Sequence, residues 1–188
     1  MKFEVTLKQL RANKACVSGY NKVVSALKGI ECDCNKETYI RFKHDEPISL
    51  ISILETNGLD DALWCLRCNC DWDRDSRLFA VWCARQVQHL LTDERSINAL
   101  NVAERFANGN ATREELTAAC DAARAAARDA AWDAARAATW DAAWAAARAA
   151  AWDAAWAAAR AAAWGDARAA QKEMFIKMCK GDAPWQVK

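Results

Sequence analysis

Histidine, proline and glycine are scarce in this sequence, with two, two and six of them among 188 residues. Two histidines leave little material for acid–base chemistry, and no Ser-centred elbow, glycine-rich phosphate loop or HExxH segment accompanies them. The expectation is a protein that is not an enzyme and has no catalytic residues. His89, behind Gln88 on an amphipathic stretch, reads as a histidine at the edge of a core rather than as a base. Between Arg113 and Cys179 there is one glycine, Gly165, and no proline, so that stretch has almost no helix stop signal.

An excess of charge of one sign is also missing. Twenty-six Lys and Arg stand against twenty-five Asp and Glu, a formal charge of +1. No global field then draws the chain to DNA or to an anionic membrane, and any anion site must be local. The start, MKFEVTLKQLRANK, has no apolar run of secretory length, so no secretory signal is expected. The alanine tract is broken by Asp or Arg within every twelve residues and rarely contains Leu, Ile or Val, so it is not a membrane span. The expected setting is the cytoplasm.

Cysteine, by contrast, is plentiful, with nine residues. In a reducing compartment these are free thiols, mostly buried as small hydrophobes. The spacing Cys65-x-x-Cys68-x-Cys70, with Cys32-x-Cys34 upstream and His44 and His89 available, resembles part of a zinc set. Cys65 and Cys68 lie within helical apolar spacing, however, and no second CxxC closes a tetrahedron, so no metal and no cofactor are expected. Asp71, Asp73 and Asp75 imitate the first ligands of a calcium loop, but Ser76 replaces its glycine and Trp82 stands where its glutamate is needed.

Punctuation divides the first 112 residues into short helices. Residues 5–28 form one or two helices closed by Gly29. The stretch IECDCNKETYIRFKH is the only β-like segment, a short hairpin or an irregular loop. Pro47 opens a helix that Asn57-Gly58 ends, and Asp60 or Asp61 caps the next. The run DWDRDSRLFAVWCARQVQHLL predicts an amphipathic helix capped near Asp75, and SINALNVAERFANG another, ended by Asn108-Gly109. Thr112-Arg-Glu-Glu115 is a capping box that opens the alanine-rich region.

That region holds a twelve-residue unit written twice without change, WDAAWAAARAAA, over residues 140–163. Every fourth residue from Arg124 is large: Arg124, Arg128, Trp132, Arg136, Trp140, Trp144, Arg148, Trp152, Trp156, Arg160, Trp164 and Arg168. A step of four advances about 400° on an α-helix, so the row creeps by about 40° per step and a straight helix has no single apolar face. The tract is therefore expected to break, near Thr139 and near Gly165 or inside the repeat, into two or three antiparallel helices. The predicted fold is a single all-α domain over residues 1–188. It comprises a short-helix half (1–111), alanine-rich repeat helices (112–180) and a tail (181–188), with the short helices packed on the long ones in a bundle.

One reading makes the repeat tryptophans core or subunit-interface filler, since alanine buries little area by itself. The other starts from Arg148 and Arg160, which follow Trp144 and Trp156 by four residues and have no acidic residue four away. The pairs Asp121–Arg124 and Asp133–Arg136 are by contrast local. A guanidinium beside an indole can stack a flat ring and fork a phosphate. On this reading Arg136, Trp140, Trp144, Arg148, Trp152, Trp156 and Arg160 form a site for a small anionic aromatic ligand of the nucleotide type.

The stretch from ISILETNGLDDALWCLRC through NATREELTAA, followed by the AAWDAAWAAAR tract, resembles a group of bacteriophage and prophage proteins. It is more distantly similar to a family of alanine-rich helical immunity proteins. The resemblance covers about residues 45–170 and implies an all-helical, phage-encoded accessory protein; it supplies no catalytic residues. The resulting expectation is a non-catalytic, homo-oligomeric sponge that sequesters a nucleotide-type immune signal of the host and so acts against its defence. Two alternatives stand beside it: an inhibitor or immunity-type protein docking its tryptophan face on a host defence protein, and a structural or assembly protein.

Overall fold

The computed structural model describes the backbone of residues 2–33, 37–145 and 149–186, and the side chains of these outside 130–163. Among them are eight α-helices and one pair of two-residue strands, so the protein is all-α, as the sequence predicts. The chain divides into two compact units, residues 1–76 with 174–188 and residues 77–173.

The first unit begins with β1 (Glu4–Val5), which pairs antiparallel with β2 (Ile48–Ser49), Val5 opposite Ile48. Two helices follow β1 where one or two were expected. Helix α1 (Leu7–Ala12) is held by a reciprocal box in which the Gln9 N–H donates to Thr6 Oγ1 and the Thr6 N–H to Gln9 Oε1. Helix α2 (Val17–Lys28) stops at Gly29, whose φ of 64° is the left-handed cap that glycine takes without strain.

Pro47 does not open the next helix. The strand pairing holds Ile48 and Ser49 extended, and α3 (Leu50–Asn57) starts only after Ser49, whose Oγ accepts from the Ile51 N–H at 3.1 Å. Neither Asp60 nor Asp61 caps α4 (Leu59–Cys65); both lie in its first turn, and Gly58 stands at the cap with φ 91°. The core of this unit gathers Val5, Val24, Leu50 and Ile53 with Trp72, whose ring meets Phe3 at 5.1 Å. Met174, Phe175 and Met178 are buried in the same unit, as is Ala183 of the expected tail. The Trp185 indole N–H donates to the buried Asp75 at 3.0 Å.

Helix α5 (Asp73–Arg85) begins close to its expected cap but ends early, and Gln88–Leu90 form a 3₁₀ turn. His89 on that turn is exposed, so it is not a core-edge residue. In the second unit α6 (Glu94–Ala107) and α7 (Arg113–Ala145) form an antiparallel hairpin: Arg95 at the start of α6 bridges Asp129, and Arg105 at its end bridges Glu115. The expected box opens α7, the Glu115 N–H donating to Thr112 Oγ1 at 3.1 Å and the Thr112 N–H to Glu115 Oε2 at 2.6 Å. That second bond holds the Glu115 carboxyl below the usual range.

Helix α7 continues through Thr139, and α8 (Ala149–Lys180) through Gly165. Neither expected stop at these positions occurs. One small or β-branched residue costs a helix at most about 1 kcal/mol against alanine, too little to end one with alanines on both sides. The other expected position for a break, inside the repeat, includes residues 146–148, which lie outside the described residues.

Candidate ligand-binding site

Of the residues the repeat puts forward, Arg136, Trp140 and Trp144 belong to α7 and Trp152, Trp156 and Arg160 to α8, but their side chains lie outside the described residues, and Arg148 lies outside them altogether. The ends of the register are described. Arg124 pairs with Asp121 at 2.8 Å, as the spacing predicts, and both it and Arg128 are exposed. Trp164 is 72% exposed, so its indole is not core filler within this chain.

A different group of cations and rings converges in the first unit. Residues 39–45 have no regular structure, yet side chains fasten their start to the core. The fully buried Asn21 donates from Nδ2 to the Thr38 carbonyl at 3.0 Å and accepts the Ile40 N–H on Oδ1 at 2.8 Å. The Tyr39 hydroxyl donates to the Ala15 carbonyl at 2.6 Å. From there the side chains alternate as in an extended chain: Arg41 and Lys43 are exposed, Ile40, Phe42 and His44 half-buried. The Phe42 and His44 rings lie nearly parallel, 10° apart with centroids at 5.9 Å.

Facing them, α1 contributes Leu7, Lys8 and Arg11 to an open groove of about 570 Å³. The Arg11 guanidinium lies 3.8 Å from the Tyr39 ring centroid and 5.5 Å from that of Tyr20. Lys8, Arg11, Arg41 and Lys43 line this groove against one carboxylate, Asp45. None of the four cations forms an ion pair among the described residues. An excess of unneutralised cations over aromatic faces suits an anion that carries a flat ring, since the cations meet the phosphate and the rings stack. In sequence Lys8, Arg11 and Tyr20 read only as helix residues, and residues 39–44 only as part of a β-like stretch that forms a short hairpin or an irregular loop. Its signal is the alternation Ile40-Arg41-Phe42-Lys43-His44, basic residues interleaved with rings.

The described thiols do not gather into a centre. Of the eight described cysteines, all free, only Cys65 is buried, and Cys16 and Cys70 are exposed. The expectation of mostly buried thiols fails: Cys68 and Cys70 fall on short 3₁₀ turns beyond the helical spacing that ends at Cys65, and Cys83, Cys120 and Cys179 are half-buried on their helices. Burial pushes the Cys65 thiol up to about 12, with Cys68 and Asp61 adding to it. Among the described residues no group of three or more His, Cys, Asp or Glu side chains is placed to hold a metal. Asp73 and Asp75 lie in the first turn of α5 and form no calcium-type loop.

No family model, curated protein or solved structure matches the chain. Among the described residues no helix is long and apolar enough to cross a membrane.

Proposed function

We propose that the protein is a non-catalytic binding protein that captures a small anionic aromatic ligand of the nucleotide type in the groove between α1 and residues 40–45. The observation that carries this reading is the surplus of Lys8, Arg11, Arg41 and Lys43 over the single carboxylate Asp45, beside the rings of Tyr20, Phe42 and His44. Arg41 and Lys43 supply charge to a phosphate, and Phe42 offers a face to a base. The wider role is sequestration of a host immune nucleotide by a phage-encoded cytoplasmic protein, in keeping with the sequence resemblance.

Titration calorimetry with ADP and with a cyclic dinucleotide tests the reading. Saturable binding that weakens with salt is expected, and Arg41→Glu with Lys43→Glu should weaken it by at least about tenfold, because contacts to charged groups contribute roughly 1.5–3 kcal/mol. Arg148→Ala with Arg160→Ala should bind as the parent does. If the second pair loses binding and the first keeps it, the site belongs to the repeat. Absence of nucleotide binding, with one host protein co-purifying instead, would establish the inhibitor reading.

A further inference from the structure

A second cavity, of about 190 Å³, lies in the first unit among α2, α3 and α4. Leu10, Val23, Ile53 and Trp64 give it apolar walls. An apolar cavity of roughly 150 Å³ takes up benzene, so this one has room for a ring or a branched aliphatic group with a small polar head.

Two residues of opposite charge, the exposed Lys14 and the half-buried Asp61, belong to the lining of the same cavity. They are not paired with each other, and neither has an ion-pair partner among the described residues. Asp61 is fixed in place. Asn57 Nδ2 donates to Asp61 Oδ2 and to the Gly19 carbonyl, each at 2.8 Å. Gly19 leaves the room that this needs, since a Cβ there would stand 2.9 Å from Asp61 Oδ2.

Lys14 carries the more telling feature. Its φ of 62° makes it the one described non-glycine residue in the left-handed region, where Gly29, Gly58, Gly109 and Gly181 fill the other positions. A lysine there bears backbone strain that glycine would not. Every other described position with a positive φ is glycine.

We infer that this cavity is a second ligand site, for an apolar α-amino acid: the ligand's carboxylate meets Lys14, its ammonium meets Asp61, and its side chain enters the apolar interior. The site is separate from the nucleotide groove, though Tyr20 lines both. A zwitterion satisfies both isolated charges at once, which neither an amine nor a carboxylate alone does.

Titration calorimetry of the full chain with L-phenylalanine, 2-phenylethylamine and 3-phenylpropionate tests this. L-Phenylalanine should bind one to one, and the two analogues, each missing one charge, at least about tenfold more weakly. Lys14→Gly should melt at or above the parent temperature, since strain is relieved, yet lose at least about tenfold in phenylalanine affinity with the 2-phenylethylamine affinity unchanged. Asp61→Asn, which keeps an acceptor for Asn57, should show the mirror pattern. The proposal is overturned if neither L-phenylalanine nor L-leucine binds up to about 10 mM, or if Lys14→Gly binds phenylalanine as the parent does. It is equally overturned if Lys14→Gly melts lower, which would make Lys14 a structural residue. ADP affinity of the Lys14→Gly variant, expected to be unchanged, reports on the groove separately.

Discussion

Asn21 does with one side chain what a strand would do with a ladder: it takes up the Thr38 carbonyl and the Ile40 N–H, and the irregular segment that follows keeps a fixed course. The cysteines differ from one another in the same individual way. Burial pushes Cys65 and Cys179 each up to about 12, against an ordinary thiol near 8.5. The fold therefore favours their protonated forms, and that contribution to stability is complete below the ordinary thiol value and is lost as pH climbs toward 12. Two outcomes are expected. Iodoacetamide at pH 8 should label Cys16 and Cys70 well before Cys65 and Cys179, read by peptide mass spectrometry. Chemical denaturation should show stability falling between pH 9 and 12, and less steeply after Cys65→Ala. Labelling of Cys65 as fast as Cys16 in the folded protein would refute the burial argument.

At the scale of elements, the α6–α7 hairpin rests on small buried residues more than on its ion pairs. Arg95 reaches both Asp93 at 2.8 Å and Asp129 at 2.9 Å, but all three side chains are well exposed, and solvent screens such bridges. Ala119 and Ala126 are buried on α7, as are Val102 and Ala107 on α6. Arg95→Ala should thus change urea stability little, whereas Ala126→Leu should cost about 1–3 kcal/mol by forcing extra methylenes into a filled contact. The reverse order would make the surface ion pairs the main fastening. Elements whose ends are decided locally were legible in sequence: Gly29 closes α2, Asn108-Gly109 closes α6, and Thr112 with Glu115 opens α7. Where a distant partner decides, sequence reading failed. Pro47 is followed by strand because Ile48 finds Val5, more than forty residues back. The groove is illegible in sequence for the same reason, since Lys8 and Arg11 share its lining with Arg41 and Lys43, far along the chain, in a segment that Asn21 and Tyr39 fasten at its start.

For the whole molecule the chief fact is that the first unit is built from both ends of the chain, residues 1–76 and 174–188. Its core includes Phe175 and Met178, each fully buried, and Met174 at 7% exposure, all from the last turns of α8. A chain ended after Glu173 should therefore lose the first unit's packing, although the removed residues line neither the groove nor the smaller cavity. Phe175→Ala alone should cost about 3–5 kcal/mol, the usual range for deleting a buried phenyl ring. Hydrogen exchange read by mass spectrometry separates the units: amides of α2 and α3 should exchange much faster in the truncated chain, while those of α6 keep their protection. ADP binding in the groove should fall with the protection of α2, because Asn21 and Tyr20 on that helix hold the groove's wall. Should the truncated chain protect α2 as the full chain does, the C-terminal turns would be an ornament on a core that closes without them, and the contiguous residues 1–76 would form the folding unit.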